Sequence, residues 1–447
     1  MLEWAARTSP TRIAVGCTDW DGRLRLKQVP ADTLARMLAD GTAMTTAIFA
    51  TDTAEVPMAT GTFQDPARGY ADARLVFAEP AFFPDPARHS GSDAVLLGEL
   101  HSPHVAFCPR SHARVQVEHL AALGFVPEVG FELECHVLAE TPESLHSTPP
   151  ARLRSHPDFL RMYGDVQQAL AGPLFDEIAR SARDVGIGLG TLHAEFSGLL
   201  EATLRPSLGV RAADSALYLK SIIKTAARRH QALAIFMARL SDVHEPAGLH
   251  LNLSLREIAT GAQVFNTAGQ SSHELGPVMR AFLAGLQRFL PDLFLLLAPT
   301  VNSWKRFHAA SFVPTTNTWG IDNKTAAYRV VLATPQETRI EIRVPGADVH
   351  PHLVLAAVLA AGRKGIIGKL EPSAGVRGDA HAVDAPAGES FPVNFADAIS
   401  RWRSSLHAHE IFGPEFVHAY AESRVWQLQR MEQSVTDWEV RQFAEGV

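Results

Sequence analysis

The chain has 447 residues, 46% of them apolar and 20% charged, the balance of a globular protein with material for a large core; its length points to two domains. The net charge of -7 argues against a general nucleic-acid coat, which needs excess positive charge facing phosphates. The longest apolar run, Leu353 to Ala361, has nine residues against the about 20 of a membrane span, so no membrane partner is expected. Cys17, Cys108 and Cys135 have no paired spacing, which leaves neither a CxxC pair nor a thiolate zinc site and points to a reduced, cytoplasmic protein. The first ten residues carry Glu3 and no long apolar core, so no signal peptide is expected.

Residues 1 to about 105 read as short strands and turns. Arg12 to Thr18 is strand-like, Asp21-Gly22 marks a turn, and Arg23 to Val29 alternates. A Pro-rich surface stretch is expected over Glu79 to Arg88, then a helix over Pro109 to Leu123 with Gly124 as its stop. Further helices are expected at 157–185, 212–230, 273–290, 350–363 and, with breaks, 394–442. The segment 372–393, rich in Gly, Pro, Ala and Asp, reads as a loop.

Alternate side chains of a strand share a face, and four segments use this in one way. Phe131-Glu132-Leu133-Glu134-Cys135 places two glutamates on one face. Leu249 to Leu255 fills one face with leucine and turns His250, Asn252 and Ser254 to the other. Arg339-Ile340-Glu341-Ile342-Arg343 presents Arg, Glu, Arg, and His193-Ala194-Glu195 followed by Glu201 is less regular. An antiparallel sheet with one wet face explains the alternation alone. Yet wet faces are commonly filled with Thr, Lys and Ser. Five glutamates and one histidine also make a hard-cation ligand set suited to Mg²⁺ or Mn²⁺. Arginines beside them suit carboxylate or phosphate. Metal, carboxylate and phosphate together point to phosphoryl transfer, and the absence of a Walker-type loop excludes a P-loop enzyme.

These residues carry a family resemblance over nearly the whole chain. The motifs are Val129 to Glu134, His193 to Glu195 with Glu201, Lys220 to His230, Ala234 to Met237 and Gly248 to Ser254. They continue in Asn302 to Arg306, Trp319 to Asn323, Arg339 to Arg343 and Gly413 to Phe416. In that order the chain resembles the glutamine synthetase superfamily. The resemblance implies an α+β fold: a small N-terminal β-grasp-like domain (1–105), then a large catalytic domain (106–447) with a curved antiparallel sheet and flanking helices. It also implies ATP and two or more Mg²⁺ or Mn²⁺ ions per site. Glu134, Glu195 and Glu201 match the ligands of one metal, and Glu132, His250 and Glu341 those of the second. Arg306 and Arg343 match arginines that hold the substrate amino acid. Arg329 and Arg339 match arginines near the ATP phosphates, and Asn252 and Ser254 fall on the nucleotide side. Lys324 stands where the family usually has an arginine on the transferred phosphoryl group; it keeps the charge and loses the planar fork.

The departures concern the amine. Six residues after the substrate arginine, true glutamine synthetases have a glutamate that helps bind and deprotonate ammonium; here that position is Phe312. An aromatic there resembles the branch of γ-glutamyl-amine ligases, which act on polyamines, ethanolamine, alkylamines and anilines. The segment Glu195 to Glu201 resembles a Glu-x-Gly-Pro-Gly-Val-x-Glu pattern of that branch, shortened by one residue. The loop that helps bind glutamate reads His244-Glu-Pro-Ala-Gly248 in place of Asn-Gly-Ser-Gly. The expected activity is therefore an ATP-dependent glutamate–amine ligase working through a γ-glutamyl phosphate, with glutamate and an organic amine as partners. An ammonia-using glutamine synthetase and a non-catalytic relative are the alternatives. The family's hexameric rings and dodecamers imply a homo-oligomer. Outside this set, His101 with His104 and His350 with His352 have zinc-pair spacing, for which packing is the simpler reading.

Overall fold

The computed structural model describes residues 1–58, 71–149, 152–266, 275–308, 312–385 and 388–446. Its first sheet contains β1 (Arg12–Thr18), β2 (Leu24–Pro30), β3 (Thr42–Met44), β4 (Ala73–Pro84) and β5 (Ala94–Leu100), in the order β2-β1-β5-β4-β3. β1 and β5 run parallel at its centre, and the other pairs are antiparallel. Central position explains the composition of β1: Ile13, Ala14 and Val15 are all 0% exposed, so both faces must be apolar. The turn at Asp21-Gly22 falls between β1 and β2 as expected, with Gly22 at φ +74°.

The second sheet holds β6 (Phe125–Leu138), β7 (Leu189–Ala194), β8 (Leu199–Leu204), β9 (Ser207–Leu208), β10 (Leu233–Ile235), β11 (Leu249–Glu257), β12 (Trp319–Ile321), β13 (Tyr328–Val331) and β14 (Arg339–Ile342). Its main path is β12-β13-β14-β11-β6-β8-β7, with β9 and β10 also paired to β6. All pairs are antiparallel except β12 with β13. The leucine face of β11 and the Val129, Phe131, Leu133 and Cys135 face of β6 are wholly buried. They join the core that includes the helices Arg211–Arg229, Pro277–Phe289 and Pro351–Gly368. The last two helices approach closely at a glycine pair. A Cβ on Gly285 would stand 2.3 Å from the Ala361 carbonyl, and one on Gly365 2.0 Å from that of Ala281. Among the described residues Pro351–Gly368 is the one helix long and apolar enough to cross a membrane, and most of it is packed inside this core.

One core serves both sheets. A buried polar network also crosses between them. Arg110 donates through Nη1 to Glu99 on β5 (2.7 Å) and through Nε and Nη2 to Asp214 (2.9 and 3.1 Å). The Asp214 carboxylate is shared with His352 Nε2 at 2.8 Å. His350 Nε2 meets the Thr18 hydroxyl at 2.9 Å. The His350–His352 pair is therefore packing machinery joining β1 to two helices.

Several expectations need correction. Glu79 to Arg88 is not a surface stretch: β4 runs through Pro84, with Ala81 and Phe83 buried. Pro80 lies within the register shift between Val76 and Ala81, a place in a sheet where a residue without an N–H is tolerated. Residues 1–105 also contain helices, Leu2–Thr8 and Leu34–Asp40. The expected helix 157–185 is three pieces, Pro157–Phe159, Asp165–Leu170 and Gly172–Asp184. Gly164 caps the second piece, and Gly172-Pro173 opens the third. The helix expected at 273–290 is described from Pro277 to Phe289; 273–274 lie outside the described residues. The helix from 350 continues past 363 to Gly368.

His136, on β6, is 0% exposed, and neither ring nitrogen has a hydrogen-bond partner among the described residues. Burial, then the neighbouring His244 and Arg239, push its pKa down to about 3. The unfolded imidazole titrates near 6.5. Between those values the unfolded chain binds a proton that the native chain refuses, so stability is lost as pH falls from about 6.5 towards 3. His136→Leu should therefore stabilise the protein by about 1–2 kcal/mol near neutral pH and by more at pH 5. Urea unfolding at the two pH values checks this.

Candidate active site

Strand register assembles the polar face. Glu134 on β6 pairs with Glu201 on β8, which pairs with His193 on β7. One step along, Glu132 pairs with His250 on β11. Asn252 then pairs with Glu341 on β14, and Glu341 with Arg329 on β13. Segments from distant parts of the sequence thus place one row of polar side chains across the sheet, opposite the buried leucines.

Two clusters result. In the first, Glu132, His250 and Glu341 offer ligand atoms within 4.8 Å of one another. His250 Nδ1 is 3.1 Å from Glu132 and 3.6 Å from Glu341. Arg329 Nη1 donates to Glu341 at 2.8 Å, Arg343 reaches its other oxygen, and Asn252 Nδ2 donates to Glu132 at 2.8 Å. Burial alone would raise the Glu132 carboxyl, but the His250 and Asn252 hydrogen bonds and the Arg343 charge outweigh it and hold the pKa at about 2.

The second cluster is His193, Glu195 and Glu201. His193 Nε2 lies 2.9 Å from Glu195 and 3.8 Å from Glu201. The sequence reading grouped Glu134 with Glu195 and Glu201. Here Glu134 stands between the clusters, its Oε2 accepting from the Gly248 N–H at 2.5 Å and its Oε1 4.0 Å from His250. His193 was missed as a ligand candidate, although its spacing of two from Glu195 was a usable signal. Tyr163 was missed too: its ring stacks on His193 at 4.7 Å and its hydroxyl bonds Glu195. Burial and then the charges of Glu134, Glu132, Glu195 and Glu341 push the Glu201 carboxyl up to about 9. So many carboxylates together are the donor chemistry of a hard divalent cation, and the residues fit such ions.

The remaining candidates surround these clusters. Arg339 Nε donates to Asn252 Oδ1 at 2.8 Å, and Ser254 Oγ to Glu128 at 3.3 Å at the far end of β11. Arg343 Nε holds the Lys324 carbonyl at 3.0 Å. Arg306 is 3% exposed, its Nη1 and Nη2 on the Val344 and Arg343 carbonyls at 2.8 and 3.3 Å, and its Nε has no partner among the described residues. It braces β14's end directly behind Arg343. Lys324, Arg329 and Phe312 line one cleft of about 930 Å³ with Trp319. Trp304 is packed, its Nε1 on the Ala298 carbonyl. Cys135 faces the core, and burial pushes its thiol up to about 12, which removes it from any reaction.

A family model described as the glutamine synthetase catalytic domain matches residues 106–443. The chain belongs to the glutamine synthetase family. The glutamate–isopropylamine ligase of a Pseudomonas species is 28% identical over 439 residues, covering 96% of this chain and 94% of that one. The γ-glutamylethanolamide synthetase GlnA4 of Streptomyces coelicolor is 32% identical over 382 residues, covering 85% and 80%. The solved structure of a GmaS–ADP complex matches with a TM-score of 0.83 and 25% identity over 99% of each chain. Within the glutamine synthetase family, these relatives lie on the γ-glutamyl-amine branch.

Proposed function

We propose that the protein is an ATP-dependent ligase joining the γ-carboxylate of glutamate to an organic amine. The observation that carries this reading is the pair of carboxylate–imidazole clusters set side by side beneath a cleft walled by Phe312 and lined by Lys324 and Arg329. A carboxylate at neutral pH is a poor electrophile. Transfer of the γ-phosphoryl group of ATP to it forms an acyl phosphate, ADP leaves, and the amine nitrogen then attacks the acyl carbon and expels phosphate. Divalent ions held by Glu132, His250 and Glu341 and by His193, Glu195 and Glu201, with Glu134 between, would offset phosphate charge and polarise the transferred group.

The chain's own groups do the rest. Arg343, braced from behind by Arg306, faces the acid, and the Nε of Arg306 is a buried donor without a partner among the described residues. Holding the acid in line lowers the entropic part of the barrier. Lys324 and Arg329 supply positive charge where the phosphoryl group moves. Arg339, Asn252 and Ser254 mark the nucleotide side. The amine must lose its proton before attack, and an apolar wall favours the neutral form. Family membership further supports a homo-oligomeric ring, a hexamer or dodecamer, with domains 1–105 and 106–447. The three free, buried cysteines suit a cytoplasmic protein.

Phosphate release from ATP, glutamate and Mg²⁺ across a panel of amines tests the reading. Release that requires an organic amine, with the matching γ-glutamyl amide seen by mass spectrometry, is the expected result; release with ammonia alone would sink it. Phe312→Glu should raise ammonia use about ten-fold, because a carboxylate would again bind ammonium and take its proton. No gain in kcat/KM for ammonia would count against the role given to Phe312.

A further inference from the structure

The cleft beside the clusters has a definite chemistry of its own. Its inner end is Lys324 and Arg329, and Arg329 also holds Glu341 of the first cluster. Lys324 lies close enough to Glu195 of the second cluster to lower that carboxyl's pKa. A molecule in the cleft therefore reaches the reacting centre. Its wall is apolar: Phe312, Trp319, Ile321 and Val376. Phe312 is 52% exposed and Ile321 41%. Exposed apolar groups gathered in a concave site are the usual mark of a ligand face.

The wall is also rigid. Trp319 Nε1 donates to the Ser373 carbonyl at 2.8 Å, and the Val376 N–H donates to the Trp319 carbonyl at 2.8 Å. Gly375 lets the loop lie flat on the indole, since a Cβ there would stand 2.9 Å from the ring. The cleft's charge is one-sided. Among the described residues that line it Asp322 is the one carboxylate, and Arg329 Nε already grips it at 2.9 Å. Arg377, at the rim, is exposed and makes no hydrogen bond or ion pair among the described residues. Arg329 is thus engaged by Asp322 and Glu341, and Lys324 lies beside Glu195, which leaves Arg377 as the cleft cation without a carboxylate partner among the described residues.

We infer that this cleft selects primary monoamines with an apolar or aromatic substituent, and that Arg377 excludes amines carrying a second ammonium. The inference rests on the ligase reading above. Phe312, Trp319, Ile321 and Val376 receive the substituent. The free guanidinium of Arg377 repels a distal cation, a repulsive element that sets specificity with no contact to the accepted amine.

The test is kcat/KM for amide formation with isopropylamine, benzylamine, ethanolamine and putrescine, in the native protein, Arg377→Glu and Ile321→Ser. The native protein should favour isopropylamine or benzylamine over putrescine at least ten-fold. Arg377→Glu should raise kcat/KM for putrescine at least ten-fold, with benzylamine changed less than two- to three-fold. Ile321→Ser should cost benzylamine at least five-fold more than ethanolamine. Native preference for putrescine, or an unchanged putrescine ratio in Arg377→Glu, would overturn the inference and leave the ligase reading standing. A changed oligomeric state in Ile321→Ser with unchanged amine ratios would assign the wall to a subunit contact and also overturn it. Activity with no amine at all would bring down the ligase reading and this inference together.

Discussion

Glu341→Gln should lower amine-dependent phosphate release at least about 100-fold while leaving the fold intact. The carboxylate is 1% exposed and lies 3.6 Å from His250 and 2.8 Å from Arg329, with Arg343 on its other oxygen. It holds Arg329 and Arg343 in place, and in the proposed reaction it would also complete one cation site. Glutamine keeps the shape and removes the charge, so both arginines would point into the site without a partner. Native protein should also gain thermal stability on adding Mn²⁺, by mass action on the folded state, and most of that gain should vanish in the variant. Retained turnover, with only the melting temperature lowered, would mean that the cluster is structural.

Asp214→Ala should destabilise the protein by about 3–5 kcal/mol. The carboxylate is 3% exposed. Burial alone would raise its pKa, but the His352 hydrogen bond and the Arg110 charge lower it below the ordinary carboxylate value. Removing it leaves buried Arg110 with Glu99 as its remaining carboxylate and strips His352 Nε2 of its partner. The cost is the loss of partners for buried donors rather than the worth of the pair itself. Because the network ties β5 to three helices, the loss should appear in global urea unfolding. A loss below about 1 kcal/mol would show that Arg110 finds water or relaxes onto Glu99.

The parts of this structure that could be read in the sequence are those set by local period. Strict alternation in β6, β11 and β14 marked which side chains share a face, because a strand repeats every two residues. Leucine at every other position of β11 told which face was the core. Register was not readable: which glutamate sits opposite which depends on pairings between distant segments, and the pairing that brings His193 beside Glu201 is not given by strand period alone. The helix Leu2–Thr8 is seven residues long and fully buries none of them, too short for a helical period to show in the sequence. Pro80 and Pro84 suggested a surface stretch because the bulge that accommodates proline is invisible without the partner strand. Arg377 lies in a loop whose approach to Trp319 is purely tertiary, and nothing in the sequence placed it near the site. Phe312 was found only by counting from Arg306 against the family pattern.

In the proposed reaction the energy of ATP passes through the γ-carboxylate of glutamate to an organic amine. The most direct measurement uses glutamate carrying ¹⁸O in that carboxylate, with ATP, Mg²⁺ and isopropylamine. An acyl phosphate intermediate predicts one ¹⁸O in the released phosphate for each γ-glutamyl amide formed. Phosphate without label, or label transfer with ammonia exceeding that with any organic amine, would contradict it.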